Sequence, residues 1–128
     1  MSSSEQDIGQ AIKPILKRLN NVSNDIEASS VMTRDGISLA SVMRDSIDQD
    51  RLGAMCASLL SLGAKTSSEL ERGNLKQVLI EGENGCVLVV QIGARAVLAI
   101  VSRPSSKLGM VFNEARKIAR EIEQTNLV

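Results

Sequence analysis

The sequence predicts an α/β fold in which one five-stranded antiparallel sheet is covered by helices on both faces. Hydrophobic spacing gives the order helix, two strands, helix, three strands, helix, and the last two strands are almost continuously apolar. Strands of that kind are buried on both faces, and three helices suffice to cover one sheet on both sides. The length of 128 residues suits a single domain over 1–128, with positions 1–6 predicted as a flexible tail.

The N-terminal region is predicted to form an amphipathic helix over residues 5 to about 20, because apolar side chains recur there at helical spacing. Pro14 lies inside this segment and lacks the N–H group that would bond to a preceding carbonyl. We therefore expect either a kink at Pro14 or a frayed turn before Lys13.

Short turn sequences divide the sheet into strands. Asp35-Gly36 separates apolar runs at 26–33 and 37–43, and this dipeptide supplies the positive φ angles of a tight hairpin. Glycine-containing joins separate three later runs, which predicts a meander with strands at 75–81, 85–92 and 95–101. The first of these three runs mixes polar and apolar residues and therefore suits an edge of the sheet.

The second helix is predicted from about Asp48 to Arg72, and its centre at 52–64 carries no charged residue. A surface helix usually buries one apolar stripe, whereas this helix has two neighbouring stripes. Either loops of the same chain cover the second stripe, or a second copy of the protein packs against it as a dimer seam. We favour the seam, because isologous pairs are the commonest assembly. The stripes comprise Leu52, Met55, Leu59 and Leu62 on one side and Cys56, Leu60 and Gly63 on the other.

The last helix has the most regular apolar spacing in the chain and is predicted from Leu108 to about residue 125. Pro104, just before it, ends the sheet. The exposed side of this helix is expected to carry an ion pair between Lys117 and Glu121, four residues apart.

Composition and charge argue against several classes of function. The chain has 15 basic and 15 acidic residues and one aromatic residue, Phe112, so nucleic-acid binding lacks both a basic surface and stacking side chains. The uncharged stretch at 52–64 is shorter than the roughly 17 residues that a membrane span needs. The N-terminus has neither the pattern of a signal peptide nor a myristoylation glycine. We therefore expect a cytoplasmic protein that binds neither nucleic acid nor membranes.

No catalytic residue, metal site or cofactor site is predicted. Histidine is absent, which removes the commonest general base and the commonest metal ligand. Asp45, Asp48 and Asp50 are candidates for a metal cluster or an acid–base pair, but their position before a long helix favours helix capping. Cys56 and Cys86 lie in apolar segments, so we expect two reduced, buried thiols rather than a disulfide or a nucleophile.

The order of the elements, together with four motifs, resembles the roadblock/dynein light-chain family. The resemblance covers residues 8 to about 122, and the insertion-free form is similar to prokaryotic members, archaeal ones in particular. It implies a roadblock/profilin-like sandwich with strand order 2-1-5-4-3, with the second helix on one face and the other two helices on the opposite face. The motifs are Asp35-Gly36, the long small-residue helix after Asp48, the strand opening Gly73-Asn74-Leu75, and Leu108-Gly109 with Glu114-Ala115-Arg116.

The same resemblance implies a homodimer and a small Ras-like GTPase as partner. In such a dimer the third strands pair edge to edge and the second helices pack together; a heterodimer with a paralogue stays open, as does the choice between scaffold and activator. The alternative function is a small-molecule-sensing domain or a subunit adaptor of a larger complex. Arg34, Arg44 and Arg51 are candidate arginine fingers, a role to which we give little weight because exposed arginines are common.

Two sets of residues are predicted to make these contacts. The dimer interface is predicted to contain Leu52, Met55, Cys56, Leu59, Leu62, Gly63, Leu75, Gln77 and Leu79. The surface for a further partner is predicted to contain Arg51, Ala54 and Ser58.

Overall fold

The computed structural model describes residues 3–44, 47–104 and 107–128. The predicted order of helices and strands is confirmed, and most predicted bounds differ from the observed ones by only a few residues. The elements are α1 (Ser3–Val22), β1 (Ile26–Thr33), β2 (Ser38–Met43), α2 (Gln49–Glu69), β3 (Gln77–Gly82), β4 (Gly85–Ile92), β5 (Ala96–Ser102) and α3 (Leu108–Gln124).

The five strands form one antiparallel sheet in the order β2-β1-β5-β4-β3, which confirms the expected topology. The sheet has an apolar core on each face. Helices α1 and α3 cover one face, where they pack on side chains such as Leu88 and Leu98. Helix α2 covers the other face, where it packs on Val89 and Val97. Neighbouring residues of β4 and β5 therefore enter opposite cores, which explains why both strands are almost entirely apolar.

Helix α1 continues through Pro14, so the prediction of a frayed turn before Lys13 is wrong. The helix also begins at Ser3, inside the segment predicted to be a tail. Pro14 is exposed, and a single missing hydrogen bond is offset by the apolar stripe beside it. That stripe consists of Ile12, Ile15, Leu16 and Leu19, all buried against the sheet.

A buried polar cluster ties the end of α1 to the sheet. Asn20 lies near the end of the helix and is 2% exposed. Its Oδ1 accepts a hydrogen bond from the Ser29 hydroxyl at 2.5 Å, and its Nδ2 donates to the Val42 carbonyl at 3.3 Å. The Arg44 guanidinium donates to the carbonyl of Asn20. The cluster thus links α1, β1 and the end of β2 through groups that burial would otherwise leave unsatisfied.

The start of α2 is fixed by a side-chain cap and by a close backbone contact. Asp48 is the N-cap residue, and its carboxylate accepts hydrogen bonds from the backbone N–H groups of Asp50 at 3.0 Å and Arg51 at 3.2 Å. The capping role predicted for Asp48 is therefore confirmed, whereas Asp45 lies outside the described residues. One turn further on, the backbone of Gly53 touches the turn between β1 and β2, where Gly36 has a φ of 88°.

The exposed charges of α3 pair differently from the prediction. Lys117 Nζ lies 3.5 Å from Glu114 Oε1, three residues before it, while Glu121 pairs with Arg18 of α1. The predicted pair between Lys117 and Glu121 is therefore wrong. A sequence pattern could not show that α1 brings a second cation next to Glu121.

Candidate interaction surface

Helix α2 turns only one side toward the sheet, and this side differs from the predicted stripes. Its buried residues are Leu52, Gly53, Cys56 and Leu60, which pack against Val89, Val97 and Ala99 of the same chain. The assignment of Leu52 and Cys56 to an intermolecular interface does not fit this packing, because their side chains are already covered by their own sheet. Burial also raises the pKa of the Cys56 thiol to about 11, which keeps it protonated at neutral pH.

The other apolar residues of α2 lie on its uncovered side. Met55 is 52% exposed and Leu62 is 67% exposed, while Leu59 is half-buried. The described parts of the chain thus leave the side chains of Met55 and Leu62 largely uncovered. The sequence pattern therefore indicated a second apolar face of α2, but it grouped Leu52 with the residues of that face. Leu52 in fact packs against the sheet. Both stripes are equally apolar, so the sequence could not show which of them faces the sheet.

A shallow apolar groove runs between α2 and β3, and we call it the α2–β3 groove. It has a volume of about 390 Å³ and includes Leu59, Leu62, Gly63, Leu70, Leu75, Gln77 and Val78. A Cβ atom built on Gly63 would lie 3.1 Å from the Leu75 side chain and 3.2 Å from that of Val78, so the helix comes close to the strand here. Five of the residues predicted for the interface meet at this groove or on its rim.

Strand β3 forms one edge of the sheet, as predicted, and pairs with β4 in unbroken register from Gln77 to Gly82. Its outer edge has no pairing partner within the described parts of the chain. Two large apolar side chains project from it, one on each face, because Leu79 lies opposite Leu88 and Ile80 opposite Val87. They are 40% and 44% exposed. A regular, apolar edge of this kind is open to pairing with another strand.

The opposite edge, β2, is protected. Its register with β1 shifts between Val31 and Met32, so that Leu39 is an extra residue that bulges from the ladder. Helix α1 also packs against β2, and a Cβ on Gly9 would lie 2.8 Å from the Leu39 carbonyl oxygen. Bulges and covering helices are both means of preventing edge-to-edge pairing. The two edges of the sheet therefore differ, and only β3 is built to be extended.

The residues predicted for a further partner lie together on the outer side of α2. Arg51, Ala54 and Ser58 are all exposed, and the Ser58 hydroxyl donates to the Ala54 carbonyl at 3.2 Å. Of the other two arginines, Arg34 is exposed beside the turn of the first hairpin, whereas the Arg44 guanidinium is already engaged by Asn20. Of the three candidate arginine fingers, Arg51 is thus the one that lies on the same surface as Ala54 and Ser58.

The residues that could act as nucleophiles or metal ligands are dispersed over the structure. Cys56 and Cys86 are both buried and are not bonded to each other, as predicted; the sulfur of Cys86 lies 3.0 Å from the Ser102 hydroxyl. Across residues 3–44, 47–104 and 107–128, no three acidic, cysteine or histidine side chains form a group that would hold a metal ion.

Sequence reasoning missed three residues of the apolar surface. Val78 and Leu70 line the α2–β3 groove, and Ile80 projects from the same face of β3 as Val78. Strand alternation within the run 75–81 could have identified Val78 and Ile80 as one face, while Leu70 follows the observed end of α2 and gave no comparable signal.

Comparison with known proteins places these features in a family. The sequence profile described as Roadblock/LC7 domain matches residues 12–102, which is well over half of the chain. The chain belongs to the Roadblock/LC7 domain family.

Relatives of this roadblock chain are found among archaea. Protein MJ1340 of Methanocaldococcus jannaschii is 30% identical over 112 residues, which is 88% of this chain and 96% of the relative. Two further proteins of that organism show the same identity. The expected resemblance to archaeal members is thus confirmed.

Solved structures show the same fold at lower identity. A structure described as MglB with tetrameric arrangement has a TM-score of 0.86 at 16% identity, and the match covers 94% of this chain and 93% of that one. The roadblock domain from Streptomyces avermitilis has a TM-score of 0.82 at 16% identity, with 91% and 98% covered. Acanthamoeba castellanii profilin II is more distant, with a TM-score of 0.55 at 16% identity and 80% and 89% covered. The roadblock/profilin-like sandwich is therefore confirmed.

Within the described parts of this roadblock chain, no helix combines the length and the apolar character that crossing a membrane would take.

Proposed function

We propose that this roadblock domain forms a homodimer through β3 and the uncovered side of α2, and that the dimer is a non-catalytic scaffold or regulator for a small Ras-like GTPase. The observation that carries the proposal is the combination of an unpaired, regular edge strand with an apolar groove beside it. Pairing of two β3 strands would join two sheets into one and satisfy the edge N–H and C=O groups. It would also bring the two α2 helices side by side.

The side chains that dimerisation would bury are Met55, Leu59, Leu62, Leu79 and Ile80. The lone chain leaves these large apolar groups wholly or partly in water, and burying each one in an interface is favourable by about 25 cal/mol per Å² of apolar surface. The protected β2 edge supports a closed pair rather than an open fibre, because the sheet would be extended on one side only.

A matched pair of variants tests the dimer. Leu62→Glu places a carboxylate in the proposed seam, where an unpaired buried charge costs several kcal/mol, so we expect a monomer at micromolar concentration. Ile37→Glu is the control, because Ile37 is 64% exposed, comparable with 67% for Leu62, but lies at the turn of the first hairpin. Sedimentation equilibrium of the wild-type chain and both variants decides the matter. A monomeric wild-type chain, or a dimeric Leu62→Glu variant with unchanged affinity, would refute the proposed seam.

The GTPase part of the proposal is supported by family membership, from which the resemblance implies binding of Ras-like GTPases. We infer that the contact lies on the outer side of α2, around Arg51, Ala54 and Ser58, where the dimer would present two adjacent copies of the same surface. Acceleration of hydrolysis would then come from ordering the GTPase's own residues rather than from a residue of this chain.

Binding is tested by titrating the dimer against a panel of Ras-like GTPases loaded with GDP or a non-hydrolysable GTP analogue. Arg51→Glu is expected to weaken the complex, whereas Lys13→Glu, the same charge change on α1 across the sheet, should leave it unchanged. Absence of a complex in every nucleotide state would refute the partner. In single-turnover hydrolysis, loss of all stimulation in an Arg51→Ala variant that still binds would refute the ordering mechanism in favour of an arginine finger.

A further inference from the structure

A second groove lies on the opposite face of the sheet, between α3 and β3, and we call it the α3–β3 groove. Its volume is about 540 Å³, and it is formed within a single chain. Its floor is apolar and its rim is basic. The floor includes Val90 and Ala119, and the rim carries Lys76, Arg116 and Arg120. Leu75 borders the groove, but its side chain packs on the α2 side of the sheet.

The cations of this rim outnumber the carboxylates around them in the described structure. No carboxylate pairs with Lys76, Arg116 or Arg120 within the described parts of the chain. Glu123 is the one acidic residue that lines the groove, so three positive charges face one negative charge. Unlike these three, Lys117 on another side of the same helix has a carboxylate partner, Glu114.

Among the described residues, the side-chain hydrogen bond that joins α3 to β3 across the groove is weak. Arg116 Nη2 lies 3.5 Å from Gln77 Oε1, at the long limit of a hydrogen bond to a neutral acceptor. A carboxylate in the groove would accept charge-assisted bonds from the guanidinium, and such bonds are shorter and about twice as strong. The side chains of Arg116 and Arg120 are four residues apart, so both project from the same side of α3.

An apolar side chain extends the groove along the sheet. Leu79 follows Gln77 on the same face of β3, because it lies opposite Leu88 in the core beneath α1 and α3. It is 40% exposed. An occupant that fits the whole surface therefore needs apolar groups as well as negative charge. A nucleic acid has the charge, but Phe112, the one aromatic residue of the chain, is already half-buried against the core and offers little for base stacking.

We propose that the α3–β3 groove docks an acidic segment of a partner protein that also carries apolar side chains. Carboxylates of the segment would bind Arg116, Arg120 and Lys76, and its apolar side chains would cover Leu79 and the floor of the groove. The cationic rim lies on one chain, on the face opposite α2, whereas Leu79 also belongs to the proposed dimer seam. Peptide binding to the monomeric Leu62→Glu variant that is lost with Arg116 and Arg120 would therefore show that docking does not depend on dimerisation, so either proposal can fail without the other.

Fluorescence anisotropy with short labelled peptides tests the docking. The probe is a peptide with leucines along one side of a helical pattern and glutamates on both flanks of that side, and its comparison peptides replace glutamate by lysine or leucine by serine. We expect the glutamate–leucine peptide to bind more tightly than both, with an affinity that falls as salt rises. Equal affinity for the lysine–leucine or glutamate–serine peptide would overturn the proposal, as would tighter binding of single-stranded oligo-dT.

Charge-changing variants locate the binding. The double variant Arg116→Glu/Arg120→Glu is expected to weaken the peptide by about ten-fold or more, because it replaces two charge-assisted contacts by repulsion. Arg116→Gln/Arg120→Gln is a milder version that keeps the helix-forming side chains, and it should weaken binding less. Lys117→Glu is the matched control on the same helix and should change the affinity by less than about two-fold. Unfolding curves establish that each variant is folded, and unchanged affinity in both double variants would refute the site.

Discussion

Replacement of Gly53 by alanine tests the packing of α2 on the sheet. A Cβ atom at position 53 would lie 2.0 Å from the carbonyl oxygen of Gly36. Real Cβ contacts essentially never fall below 3.0 Å, so helix and turn must separate by at least about 1 Å. The obstacle is backbone, which cannot rotate away as a flexible side chain would. Nearby Leu52 and Cys56 would be displaced with the helix, and both are buried against the sheet.

Two effects of opposite sign determine how much Gly53→Ala changes the free energy of unfolding. Alanine is favoured over glycine inside a helix by about 1 kcal/mol, while overpacking a core costs about 1–3 kcal/mol. Because the clash is between two backbones, we expect the upper end of that range and a net loss of about 2 kcal/mol in the free energy of unfolding. Gly63→Ala in the same helix gains the same propensity, but its Cβ would meet only the side chain of Leu75 at 3.1 Å and that of Val78 at 3.2 Å, which can adjust.

Urea denaturation followed by far-UV circular dichroism measures both variants, at equal and at varied protein concentration so that self-association is separated from folding. The difference between Gly53→Ala and Gly63→Ala removes the common propensity gain and isolates the steric cost, which we expect to be about 3 kcal/mol. A difference below about 1 kcal/mol would refute the close contact between α2 and the first hairpin.

Three other predictions concern the polar cluster, the helix cap and the buried thiol. Asn20→Ala should lower the free energy of unfolding by about 1–3 kcal/mol because buried hydrogen-bonding groups lose their partner, whereas Asn21→Ala at the neighbouring exposed position should change it little; equal effects in the two urea curves would contradict the buried cluster. Asp48→Ala should cost about 1 kcal/mol through loss of the cap, and an unchanged unfolding midpoint would argue against the observed cap. Since the pKa of the Cys56 thiol is raised to about 11, the unfolded chain loses this proton first and stability should fall as the pH rises from about 9 toward 11, less so in Cys56→Ala. In a Cys86→Ala background a thiol reagent at pH 8 should label Cys56 only after unfolding, and rapid labelling of the folded protein would refute its burial.

Local patterns were sufficient for the elements and their order. Alternation and helical spacing depend on which side chains recur on one face, and this information is present in each segment by itself. The apolar runs that became β4 and β5 indicated burial on both faces, and the sheet has a core on each side of them. Pro14 shows the limit of the same reasoning, since the cost of one missing bond is visible in the sequence but the apolar contacts that offset it are tertiary.

Patterns within the sequence were enough to predict an α/β sandwich with an uncharged helix, an edge strand at 75–81 and no histidine-based chemistry. Packing between distant segments selects which of two equally apolar stripes of α2 lies against the sheet, and it covers Leu52 and Cys56 while Met55 and Leu62 stay exposed. Spacing within a helix fixes which residues share a side but not the rotation of the helix on its neighbour. That rotation follows from side-chain packing between segments far apart in sequence, here the contact of α2 with the first hairpin at Gly53. The two grooves beside β3 could not be predicted for the same reason. Each lies between a helix and a strand that only the tertiary fold brings together.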